Sequence, residues 1–147
     1  MNILAYQAAV MEMSIYPEAG TGSKDALAYA VLGLNGESGE VAEVLKKIMR
    51  SRLACTYDTM SLESRLRLIE ELGDALWYIV AIAVELHVTM EDVMLYNYLK
   101  LYARSPKGQV SWIIPNRRED EVGELVMGLE ENFSQLLNTG DNDDDNK

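Results

Sequence analysis

From Leu72 to Leu86 the chain reads LGDALWYIVAIAVEL, and on a helical wheel its apolar residues fall nearly all the way round. A helix of that kind cannot lie on a surface with one face in water, so it must be surrounded by others, and the chain is committed to an all-α helical bundle. Polar residues form a single stripe against this background. Glu71, Asp74 and Tyr78, at spacings of three and four, share one face, with Arg67 one turn before Glu71 and Glu85 further along. Glu70 is offset toward the side.

A second long helix is expected from Asp25 to about Ser51. Its wheel groups Leu34, Val41, Val44, Leu45 and Ile48 on one arc, which must face the core. Glu37 falls inside that arc and Glu40 at its edge, whereas Glu43, Lys46 and Arg50 fall on the solvent side. The same segment carries Gly33, Gly36 and Gly39, each costing roughly 1 kcal/mol relative to Ala inside a helix. Their spacing fits neither a P-loop nor a dinucleotide fingerprint, and no strand precedes them. Gly33 lies on the carboxylate face, where a missing side chain leaves room for substrate or for a neighbouring helix. Gly36 flanks it, and Gly39 points away, toward another chain or segment.

The remaining elements follow from the same periodicity and its punctuation by Pro17, Pro106 and Pro115. Asn2 to about Ile15 gives a first helix, which YPEAGTGS breaks. RLACTYDTM is a connector, and the third helix runs from Leu62 to about His87, with His87 read as a structural cap. Thr89 followed by Asp92 resembles a helix-capping arrangement for a fourth helix from Met90 to about Arg104. Ser105 to Asp120 reads as loop, with a short extended piece at VSWII, and Glu121 to Leu137 as a further C-terminal amphipathic helix. The expected organisation is four core helices plus this last one in a single domain over 1–138, with an acidic, disordered tail over 139–147. No internal repeat and no period-2 alternation long enough for a sheet occurs.

The formal net charge of -11 excludes a nucleic-acid backbone as the main partner, since such binders concentrate Lys and Arg. No segment is long and apolar enough to span a membrane. One cysteine, Cys55, makes neither an intrachain disulfide nor a zinc cluster, and MNILAYQAAVMEMS has no basic leader. A cytoplasmic setting is expected.

Four carboxylates brought together between helices repel one another, and each loses several kcal/mol of hydration on burial unless something positive sits among them. Arg67, Lys47 or Lys100 can supply part of that charge. Four oxygen donors without cysteine or a usable histidine are, however, the set that hard divalent cations prefer, and Mg²⁺ or Mn²⁺ is the expected occupant. Glu at helical spacing is ordinarily a solvated face. Two acidic i, i+3 pairs, both on the core-facing sides of adjacent helices, do not fit that ordinary explanation. A di-iron bundle would need Glu-x-x-His pairs, and the residue three before His87 is Val84.

The paired Glu-x-x-Glu and Glu-x-x-Asp motifs resemble those of the MazG-like, all-α nucleotide pyrophosphohydrolases. The likeness extends in order through Tyr6 and Gln7, LGLNGESGEVAEVLKKIMR, EELGDALWYIVAIAVEL and NYLKLYARSPKG, and covers roughly residues 5 to 120, in a compact form similar to those carried by phages. The resemblance implies hydrolysis of a nucleoside triphosphate between its α and β phosphates, giving a monophosphate and pyrophosphate, with metal held by Glu37, Glu40, Glu71 and Asp74. Glu37 and Glu40 are the expected catalytic residues, Glu37 being favoured as base. The resemblance also places Asn97 and Lys100 at the substrate, Lys100 on a phosphate, with Arg104 on the same side of the helix. Lys47 either reaches the phosphates or pairs with Glu43. Tyr78 is expected to stack on sugar or base, and Trp77 to belong to the core. GQVSWIIPNRRED follows the related segment only loosely, so Arg117 and Arg118 receive no role.

By analogy with phage forms, a purine deoxynucleotide such as dGTP is the preferred substrate. Non-standard nucleotides and the alarmone guanosine tetraphosphate are the alternatives within the fold, and a non-catalytic helical interaction module is the alternative outside catalysis. A homodimer or homotetramer is expected.

Overall fold

The computed structural model describes residues 1–50 and 60–104, together with the helical positions 124, 127, 128 and 131. The tail over 139–147, the connector as far as residue 59 and the VSWII segment lie outside the described residues. The chain divides into two units, residues 1–90 and 91–147. The described residues are all-α, with α1 (Ile3–Met13), α2 (Lys24–Arg50), α3 (Leu62–Glu85) and α4 (Met90–Arg104), and no strand. No helix among them is long and apolar enough to cross a membrane.

The first unit is built on α3, which packs along α2 and against α1. Local chemistry closes several of the helix ends. Asn2 caps α1, its side chain accepting from the Ala5 amide at 2.8 Å, and the Ser14 hydroxyl donates back to the Val10 carbonyl at the other end. Ser23 accepts from the Ala26 amide at the start of α2, and Ser61 from the Ser64 amide at the start of α3. At the end of α3 the His87 amide donates to Val84 and the Val88 amide to Ala83, both at 3.0 Å, with His87 at φ 54°. This is the six-to-one and five-to-two pairing that terminates helices through a left-handed residue, with His87 where glycine usually stands. His87 is thus a helix cap through its backbone.

Val10, Tyr16, Ala26, Ala30, Val80, Ala81, Ala83 and Met90 form the core, with Trp77 packed against it. Small residues dominate, which lets α2 and α3 approach closely. Gln7 ties α1 to the turn after α3, donating to the Val88 carbonyl at 2.9 Å and accepting from the Met90 amide at 2.7 Å.

Two sequence expectations need correction. Leu45, placed on the core arc, is 41 % exposed, because it lies about 100° round from the buried Val44. The second concerns Leu72 to Leu86, expected to be surrounded by other helices: Leu72, Leu76, Ile79 and Leu86 are exposed, because the core that includes α1 is met by Val80, Ala81 and Ala83.

Candidate active site

α2 and α3 run antiparallel: Gly33 lies beside Tyr78, Glu37 beside Glu71 and Asp74, and the residues just before α2 beside the end of α3. The inward stripe of one helix therefore faces that of the other. Glu37, Glu71 and Asp74 each direct a carboxylate oxygen into one place, these oxygens lying within 4.8 Å of one another. Glu37 and Glu71 are half-buried and Asp74 is exposed, so the cluster opens to solvent on one side.

Glu71 feels this crowding most. Loss of hydration, followed by the charges of Glu40, Asp74, Glu37 and Glu70, raises its carboxyl above the ordinary carboxylate range. Glu40 is exposed and stands outside the group of three, yet its charge acts on Glu71. Two of the basic residues expected to help are engaged elsewhere: Lys47 pairs with Glu43 at 3.2 Å and Arg67 with Glu63 at 3.1 Å, each within its own helix. Three hard oxygen donors converging on a spot of negative potential fit a divalent cation of the Mg²⁺ or Mn²⁺ type.

Tyr78 borders the cluster one turn after Asp74. A β-carbon on Gly33 would overlap its ring, so Gly33 gives clearance to a neighbouring helix. Burial first, then Tyr29, Glu37 and Asp74, raise the Tyr78 phenol, which places its hydroxyl within reach of their charges. Trp77 meets Tyr78 edge-on at 4.9 Å and Tyr16 edge-on at 6.3 Å, in keeping with its expected core role. Among the described residues nothing approaches the β-carbon positions of Gly36 and Gly39 within 4 Å. Asn97 and Lys100 stand exposed, one turn apart on α4, in the second unit.

One residue acquires a role that the sequence did not disclose. Glu85 lies on the Glu71–Asp74–Tyr78 stripe but is 3 % exposed, accepting from the Tyr16 hydroxyl at 2.5 Å and from the Gly20 and Gly22 amides at 2.8 and 3.0 Å. Desolvation pushes its pKa up, but the Gly20 amide, the Tyr16 hydroxyl, the Gly22 amide and His87 outweigh it and hold the carboxyl below its usual range. The Tyr16 phenol, buried beside this anion, is pushed up to about 12. The available signal was an acid continuing the polar stripe opposite a loop with two glycines, Gly20 and Gly22, whose positive φ leaves amides pointing inward.

The fold and site define an all-α protein in which facing helices bring three carboxylates together. More particularly, it belongs to the MazG family: the MazG nucleotide pyrophosphohydrolase domain matches residues 27–109, a span that holds both acidic pairs. The chain is 36 % identical over 118 residues to the gene 37 protein of Mycobacterium phage L5, covering 80 % of this chain and 100 % of that protein. No solved structure matches it.

Proposed function

We propose that this protein is a Mg²⁺-dependent nucleotide pyrophosphohydrolase that cleaves a (deoxy)nucleoside triphosphate between its α and β phosphates, releasing a monophosphate and pyrophosphate. The observation that carries the reading is the convergence of Glu37, Glu71 and Asp74 within a chain matched by the MazG domain. Glu37, Glu71 and Asp74 hold the cation, with Glu40 completing the ligand set. A bound divalent cation supplies charge neutralisation to phosphate oxygens and acidifies water.

Glu37, a half-buried member of the cluster, also takes a proton from the attacking water, and Glu40 supports it. Tyr78 borders the sugar. Lys47, after leaving its exposed pair with Glu43, and Asn97 and Lys100 on α4 bind the polyphosphate. A purine deoxynucleotide such as dGTP is the preferred substrate, by analogy with phage-carried forms of the family. The protein acts in the cytoplasm, as a homodimer or homotetramer, a reading supported by the exposed apolar side chains of Leu62, Leu66, Ile69 and Leu72 along α3.

A nucleotide panel with phosphate and pyrophosphate measured separately, with and without Mg²⁺, tests the reaction. Pyrophosphate release is expected for the parent and loss by at least about a hundredfold for Glu71→Gln and Glu40→Gln. Release of inorganic phosphate alone would point to a different cleavage, and absence of any turnover to an interaction module. Light scattering on the eluting protein reads the oligomeric state.

A further inference from the structure

The carboxylate cluster leaves one buried acid unused. Glu85 binds no neighbouring acid and takes no part in the reaction; its three donors, the Tyr16 hydroxyl and the Gly20 and Gly22 amides, all come from the segment between α1 and α2. The contact fixes that segment to the last turn of α3, and it does so tightly. A β-carbon on Gly22 would lie 2.7 Å from His87 Nε2 and 3.0 Å from the Glu85 carbonyl oxygen.

Fixing the Tyr16 hydroxyl also fixes its ring. Tyr16 stacks on Tyr29 with centroids 4.9 Å apart and planes 14° from parallel, while the edge-on contact with Trp77 holds it from the side. Tyr16 is buried, but Tyr29, the outer ring of the stack, is 48 % exposed. Tyr29, Gly33 and Glu37 follow at i, i+4 and i+8 on α2, so Tyr29 stands on the cluster's face of the helix, roughly 12 Å along from the first acid. Tyr29 also lies close enough to Tyr78, which borders the cluster, for the two phenols to influence each other. An exposed aromatic ring, rigidly backed and on the same face as a cation-binding cluster, suits a ligand with a flat π-system at one end and anionic oxygens at the other.

We propose that Tyr29 is the nucleobase-stacking residue of this site, with Tyr16 as its backing ring and Glu85 as the positioning residue that holds Tyr16 through its hydroxyl. The proposal rests on the nucleotide reading above and adds where the base goes. Every base has a π-face, so this contact selects nucleotides over bare polyphosphate without choosing among bases. Edge contacts from other residues make that choice.

The test uses the full chain with Tyr29→Leu, Tyr29→Phe and Tyr16→Phe. The readouts are KM and kcat for the best nucleotide of the panel, inhibition by inorganic tripolyphosphate, and thermal melting. Tyr29→Leu is expected to raise KM about tenfold or more with kcat within about threefold, and Tyr29→Phe, which keeps the ring, to recover most of that loss. Tyr16→Phe keeps the stacked ring but removes the bond to Glu85, and is expected to raise KM by a smaller factor. Tripolyphosphate has no base, so its inhibition constant stays at the parent value in all three. An unchanged KM in Tyr29→Leu, or a parallel loss of tripolyphosphate inhibition, overturns the platform. An unchanged KM in Tyr16→Phe overturns the positioning role of Glu85. Should the parent turn over no nucleotide, the hydrolase reading fails separately. The platform is then tested by ligand-detected NMR with a nucleoside monophosphate and with ribose 5-phosphate: saturation of base protons that disappears in Tyr29→Leu supports it, and equal signals from both proteins overturn it.

Discussion

Gly33 on α2 and Tyr78 on α3 share one volume: a β-carbon at position 33 would overlap Cδ1, Cε1 and Cζ of the Tyr78 ring. Helix propensity alone makes Gly→Ala favourable by about 1 kcal/mol, whereas overpacking costs about 1–3 kcal/mol. At position 33 the second effect wins, because the obstructing atoms belong to a ring already held edge-on by Trp77. Gly33→Ala is therefore expected to lower the thermal midpoint and, by displacing Tyr78, to reduce turnover. Gly36→Ala meets nothing within 4 Å and is expected to raise the midpoint. A Gly33→Ala protein that melts above the parent would remove the steric explanation.

The helices and the acidic pairs were legible because both are written in short-range spacing. The 3.6-residue period located α2, α3 and α4 to within a residue or two, and the i, i+3 acids followed from the same wheel. What escaped was long-range. Glu85 and Tyr16 are 69 positions apart, and nothing in the local pattern of either says that they meet. Leu45, Leu72, Leu76, Ile79 and Leu86 were misplaced for a related reason: a wheel gives the direction of a side chain but not whether a neighbouring helix reaches that height. The expected contribution of Arg67 and Lys47 to the cluster failed because each has an acid one turn earlier on its own helix.

Gln7 both donates and accepts across the gap between α1 and the turn after α3, bonding the Val88 carbonyl and the Met90 amide. The side-chain amide supplies both functions from one position. Gln7→Ala strands two backbone groups and is expected to destabilise the protein by about 2–4 kcal/mol. Gln7→Glu retains an acceptor for Met90 but loses the donor to Val88, so its urea midpoint is expected to fall between those of the parent and Gln7→Ala.

Glu85 gives stability with a defined pH sign. Its folded carboxyl lies below its ordinary value, so the contribution is fully present above the ordinary carboxylate range and is lost as pH falls through the lowered value. Glu85→Gln replaces one accepting oxygen by an NH₂ group facing donors, and is expected to cost about 2–4 kcal/mol at neutral pH. The deficit should shrink as pH drops below the carboxylate range. Urea titrations of parent and variant at neutral and acidic pH measure it, and a deficit independent of pH would show that packing rather than charge is responsible.

Glu71 carries the opposite sign, which ties stability to metal. Its carboxyl is raised by burial and by the charges of Glu40, Asp74, Glu37 and Glu70, so the metal-free protein loses stability as pH rises from the ordinary carboxylate range through the raised value. Mg²⁺ favours the ionised cluster and competes with that proton. Mg²⁺ is therefore expected to raise the midpoint most at neutral pH and progressively less on acidification, as protons displace it from the cluster. Glu71→Gln removes one of the repelling charges. It is expected to melt at or above the metal-free parent at neutral pH, while losing most of the Mg²⁺-dependent rise. Scanning calorimetry of both proteins with Mg²⁺ and with chelator gives all four midpoints, and an undiminished Mg²⁺ shift in Glu71→Gln would move the cation away from this cluster.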